Sequence, residues 1–249
     1  MKRLLAAASL ALLFNVAAVG GQPQNALSAQ ARRALTVQLV LQAERVSASI
    51  QYRGDCGPGI LMPNFPRIFE PLKPYPANAV EAVRAMFSVD DRFAVSQGSN
   101  GIIRVVEPGV RTDILGVKIS HLWFDDISYP EEALDFILYA PEVQSFMHAQ
   151  GIGQLTDMFA FTGIAPPPAY RVPGTKHAPP NPGMPSISGE LNNVTVADAL
   201  DYVVKSFPGF WLYQDCETPD QQRVVYFMLF PVPGRMWSWN SATTSVIWQ

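Results

Sequence analysis

One stretch, Ser186 to Phe230, constrains the fold more than any other. It reads as strand, helix, strand, strand. Val194, Ala197, Leu200, Val203, Val204 and Phe207 recur at spacings of three and four, which places them on one helical face. Thr195 and Asp198 have the spacing of a capping box, in which side chain and backbone satisfy each other's free groups at the first turn. Phe207-Pro208-Gly209 ends the helix, because a proline disfavours helical geometry in the residue before it and glycine tolerates the turn that follows. Phe210 to Gln214 is aromatic and apolar, as a strand prefers. Glu217 to Gln222 is polar, contains Pro219 and suits a hairpin loop, and the β-prone run Val224 to Phe230 follows it.

Pro76 to Glu107 repeats much of this order. Ala79–Phe87 aligns with Ala199–Phe207, Phe93–Gln97 with Phe210–Gln214, and Ile102–Val106 with Val224–Phe230. Gly98-Ser99-Asn100-Gly101 supplies the tight turn between the two short strands. Similarity at one offset predicts duplicated strand–helix–hairpin units. The competing explanation is that any two helix-plus-hairpin segments align this well. The fold class expected is therefore α+β, built from small units and interrupted by a proline-rich spacer.

Val194-Thr195-Val196-Ala197-Asp198-Ala199-Leu200 and Phe210-Trp211-Leu212-Tyr213 carry a further likeness. With the strand before them, they resemble the short N-terminal domain of secretins and TonB-dependent receptors over residues 186–230, and more weakly over 76–107. The resemblance implies a small periplasmic α+β module that makes protein contacts.

The remaining chain divides around these units. Lys2 and Arg3, the apolar run Leu4 to Phe14 and the small residues Ala18-Val19-Gly20 follow the order of a secretory signal, cleaved near Gly20. Its apolar run is shorter than a membrane span requires, and none is expected in the mature chain. Residues 21–162 form an N-terminal α+β region, with a helix over Arg33–Ser49, a strand over Ala48–Tyr52 and another within Asp113–Phe124. Helices then start at Ser128, with Pro130 in the first turn, and at Pro141. Residues 163–185 hold eight prolines, from Pro166 to Pro185, and read as a semi-rigid spacer. Residues 186–249 are the last unit with an aromatic tail, in which Trp237 and Trp239 are candidate contact residues. The alternative is a tail packed on the core.

Chemistry is sparse. The only cysteines, Cys56 and Cys216, are a candidate disulfide in an exported chain, against the alternative of two separate buried thiols. Arg53-Gly54-Asp55 matches an adhesion triplet, but its glycine-rich flank reads as a turn. His121, His148 and His177 share no metal-ligand spacing. Glu131 and Glu132 fit a helix's first turn, and Asp125 and Asp126, adjacent on a strand, point apart. No phosphate loop, dinucleotide fingerprint or nucleophile elbow occurs, so no residue is assigned a catalytic, cofactor-binding or metal-ligating role. A net charge of -3 with scattered Lys and Arg gives no nucleic-acid surface. The expected function is a non-enzymatic periplasmic or secreted interaction module, working with proteins of an envelope or outer-membrane assembly. Its candidate contact is a strand edge at Val225 and Phe227. A secreted hydrolase with a dispersed active site, or a small-ligand binder, is the alternative.

Overall fold

The computed structural model describes residues 33, 36–37, 39–42, 45–54, 66–68, 78–128, 130–154, 185–231, 237–240 and 245–248. The helical residues at 33, 36–37 and 39–42 form α1. It is followed by β1 (Ala48–Arg53), α2 (Ala79–Phe87), β2 (Ala94–Gln97) and β3 (Ile103–Val106). A 3-10 turn (Asp113–Gly116) leads into β4 (Lys118–Ile127), α3 (Pro130–Leu138), α4 (Pro141–Ala149) and the two-residue β5 (Gly153–Gln154). Then come β6 (Ile187–Thr195), α5 (Val196–Ser206), β7 (Gly209–Glu217), β8 (Arg223–Pro231), β9 (Trp237–Asn240) and β10 (Ser245–Trp248). The class is α+β, as expected. Of the 163–185 spacer only Pro185 is among the described residues.

Local signals explain the helices. Thr195 caps α5 through the full capping box with Asp198. Asn78 caps α2 by accepting the Val80 N–H at 2.8 Å, and Pro141 opens α4 at a position where a missing N–H costs nothing. Two boundaries differ from the sequence expectation. The last described helical residue of α1 is Gln42, and a turn at Arg45 precedes β1, so the helix does not run on to Ser49. Asp113–Gly116 is a 3-10 turn, and β4 starts at Lys118 and runs on to Ile127. Apolar residues at 114 and 115 fill the core as well from a turn as from a strand.

The main sheet has six strands in the order β2-β3-β1-β7-β8-β5. β1 lies parallel to both β3 and β7, with Ile50 opposite Val105 on one side and Leu212 on the other. One face carries Ile50, Tyr52, Ile103, Val105, Phe210 and Leu212 under α1 and α2. The other face carries Trp211, Tyr213, Val225, Phe227 and Leu229 under α3 and α5, in a core shared with the separate β4–β6 ribbon. Residues before and after the spacer thus share a sheet and a core. The β1–β7 ladder is what joins them.

The two helix–hairpin segments, α2-β2-β3 and α5-β7-β8, sit in this one sheet on either side of β1. They are not laid down alike. The first strand of the earlier hairpin is the outer one, whereas the first strand of the later hairpin is the inner one. Their helices also cover opposite faces. The similarity is one of local units and leaves duplication unestablished.

At the end of β1, the Gly54 N–H donates to the Asp215 carbonyl at 3.0 Å, continuing the β1–β7 ladder. A Cβ on Gly54 would meet Gln214 Nε2 at 1.5 Å, so any larger residue there must displace the buried Gln214 side chain. Arg53, from the adhesion-like triplet, is engaged with Glu107 at 3.1 Å. Cys216 is buried at the end of β7, beside Gly54 in the register that pairs Arg53 with Asp215. Cys56 lies outside the described residues, two positions beyond Gly54. That separation of two residues is what supports pairing it with Cys216. Mass analysis after alkylation is expected to find both thiols protected until reduction, and a Cys56→Ser/Cys216→Ser variant is expected to lose up to about 5 kcal/mol of stability by the chain-entropy estimate.

Candidate interaction edge and the ion pairs behind it

The β7–β8 hairpin defines which backbone groups face outward. The Thr218 N–H donates to the Gln222 carbonyl at 2.9 Å, which makes 218 and 222 a hydrogen-bonded pair. Such pairs alternate along an antiparallel ladder. Counting in twos, Val225, Phe227 and Leu229 direct their N–H and C=O groups away from β7. β5 occupies the start of that edge, pairing Gly153 with Val224 and Gln154 with Val225. Among the described strands none pairs with Phe227 or Leu229 on that side.

Outward backbone groups on β2, β4 and β6 are met by side chains. In the β2–β3 hairpin the Gly98 N–H donates to Ile102, so Val95 faces outward, and its carbonyl accepts Arg84 Nη2 at 3.2 Å. On β4 the Ser120 N–H donates to Glu142 Oε1 at 3.0 Å. On β6 the Thr195 N–H donates to Asp198 Oδ2 at 3.2 Å. Occupying an outward backbone group in this way hinders further strand pairing.

The candidate contact residues are placed as follows. Val225 and Phe227 have buried side chains in the α3–α5 core, so what they offer is backbone alone. Trp237 and Trp239 lie on β9, opposite Trp248 and Val246 of β10, in a sheet separate from β8. The structure does not bring the two pairs together. His121 is exposed on β4, His148 lies on α4, and His177 is outside the described residues. Among the described residues no group of His, Cys, Asp or Glu is placed to hold a metal ion. No described helix is long and apolar enough to cross a membrane.

Behind the β8 edge sits a cluster of charges. Asp215, with 1 % of its side chain exposed, accepts Arg111 Nε at 2.6 Å and Arg223 Nε at 2.7 Å. Arg223 reaches on to Asp113 through Nη1 at 2.8 Å and Nη2 at 2.6 Å. The Tyr213 hydroxyl donates to the Arg111 carbonyl at 2.7 Å. These bonds tie the hairpin base to the 3-10 turn. The guanidinium bonded to Asp113 holds its carboxyl below the usual carboxylate range, and the same bond raises Arg223. A second cluster centres on buried Asp201 of α5. It pairs with both Nη atoms of Arg104, accepts Trp211 Nε1 at 2.8 Å and accepts Asn100 Nδ2 at 2.7 Å. Arg104 also donates to Ser49 Oγ at 3.1 Å.

Chemically these buried carboxylates are occupied by cations and donors, and they act as struts. The sequence reading missed both clusters. One signal was present: Asp201 lies four residues after Ala197 and three before Val204, on the apolar face of its helix. A carboxylate there needs a buried partner. No family model matches the chain, and no curated protein and no solved structure matches it.

Two outcomes are expected. Arg223→Gln leaves the buried Asp215 with one cation and is expected to cost about 3–5 kcal/mol in denaturant unfolding. The depressed carboxyl of Asp113 stabilises the fold above its unfolded pKa, and this contribution is lost as pH falls through the folded value. Asp113→Asn is therefore expected to give a shallower fall in unfolding free energy below about pH 4 than the parent chain, measured by denaturant titration across pH.

Proposed function

We propose that this protein is an exported, non-enzymatic interaction module of the cell envelope, and that it receives a strand of a partner protein along the outer edge of β8. The carrying observation is the outward backbone of Phe227 and Leu229, which no described strand occupies, while outward groups on β2, β4 and β6 are met by side chains. Strand addition draws affinity from main-chain hydrogen bonds, which suits an edge whose side chains are turned into the core. The segment Val224–Phe230 also lacks charged residues, so nothing in it repels an incoming strand. The N-terminal charged, apolar and small-residue order supports export to a periplasmic or extracellular location. The likeness of residues 186–230 to the short N-terminal domain of secretins and TonB-dependent receptors supports an envelope partner.

A proline scan along β8 tests this reading. Leu229→Pro removes an outward N–H and leaves the β7 ladder bonds in place, while Met228→Pro removes a ladder bond itself. The mature Leu229→Pro chain is expected to stay folded by circular dichroism and to lose the envelope proteins that wild type captures. The Met228→Pro chain is expected to unfold. Capture of the same proteins by folded Leu229→Pro would place binding elsewhere.

A further inference from the structure

The solvent side of the β4–β6 ribbon carries Trp123, 61 % exposed, directly opposite Glu190 in the strand register. Opposed side chains on such a ribbon stand about 5 Å apart at Cβ, close enough to grip one group between them. Glu190 is held in place from one side. Its Oε1 accepts Asn192 Nδ2 at 2.9 Å and lies 3.3 Å from His121 Nδ1. His121 Nδ1 is in turn 3.1 Å from Asn192 Oδ1. The second oxygen, Oε2, has no partner among the described residues. Its side chain is 57 % exposed.

The interior shows an indole, a carboxylate and a guanidinium brought together. There Trp211 and Asp201 stand together, the Arg104 guanidinium pairs with the carboxylate, and its Cζ lies 5.9 Å from the Trp211 ring centroid. The ribbon surface presents an indole and a carboxylate with the third member missing. We propose that Trp123 and Glu190 form a docking site for an arginine side chain of a partner protein, the guanidinium stacking on the indole and bonding to Glu190 Oε2. A planar, weakly hydrated fork suits a site made of a ring face and a carboxylate, and an ammonium point charge suits it less well. The surrounding charge is complementary. Asp125 and Asp126 are exposed where the strand bulges beyond Trp123, and Lys118, the one lysine or arginine of the two strands, lies at the far end of β4. The inference rests on the reading of the protein as an interaction module, and it concerns a different sheet from β8.

The test titrates the mature chain against fluorescein-labelled hexa-arginine and hexa-lysine, read by anisotropy at low salt. Hexa-arginine is expected to bind more tightly than hexa-lysine. Trp123→Ala and Glu190→Gln are each expected to weaken hexa-arginine by about fivefold. Asp91→Asn, at an exposed carboxylate elsewhere, and Leu229→Pro are expected to leave it unchanged. Both ribbon side chains are more than half exposed, and thermal midpoints by circular dichroism confirm that the variants remain folded. No binding, equal binding of the two peptides, or binding indifferent to Trp123→Ala and Glu190→Gln overturns the proposal. Loss of envelope capture in Leu229→Pro with hexa-arginine binding intact separates this site from the β8 edge.

Discussion

β7 is buried along eight of its nine residues, and every direction around it is in use. Phe210 and Leu212 fill the α1–α2 side, while Trp211 and Tyr213 fill the α3–α5 side. Its two edges are taken by β1 and β8. A strand enclosed in this way cannot slip by one residue without exchanging its two sets of side chains between cores. Trp211 would lose Asp201, and Asp215 would leave its arginines for an apolar side. The register of the whole sheet follows from that cost.

The buried carboxylates act in the same sense. Replacing a buried ion pair with well-fitting apolar groups is often neutral for stability, whereas breaking one is costly. Asp201 and Asp215 are therefore best understood as specifying how parts meet. Asp201 admits α5 onto the sheet only where Arg104 and Trp211 stand, and Asp215 admits the hairpin base only where Arg111, Arg223 and Asp113 converge.

Residues 186–230 were legible because their signals are local. The capping box at Thr195, the Pro208-Gly209 stop and the polar loop before Arg223 each act within a few residues. The partner of β7 was not legible, since β1 lies some 160 positions away and any strand with Ile50 and Tyr52 on one face could have served. The same distance hid the clusters: Arg104 is 97 residues from Asp201, and Arg111 is 104 from Asp215. Val225 and Phe227 were read as contact residues from a β-prone run, which cannot tell an outward side chain from an outward backbone. The hairpin register resolves that difference, and it turns both side chains inward. On β4, Trp123 sits in an apolar-looking run, and only the pleat shows it facing solvent while Leu122 and Phe124 face the core.

The position of β1 between β3 and β7 also has a kinetic meaning. A chain emerging N-terminus first completes β1 long before β7 exists. Until then the long edge of β1 has no native neighbour, and α1 and α2 lack the Phe210–Leu212 surface that finishes their core. Closure of a loop of that span is slow, and a waiting strand edge is open to wrong pairings. The core of the early half is thus finished only when the last strands arrive.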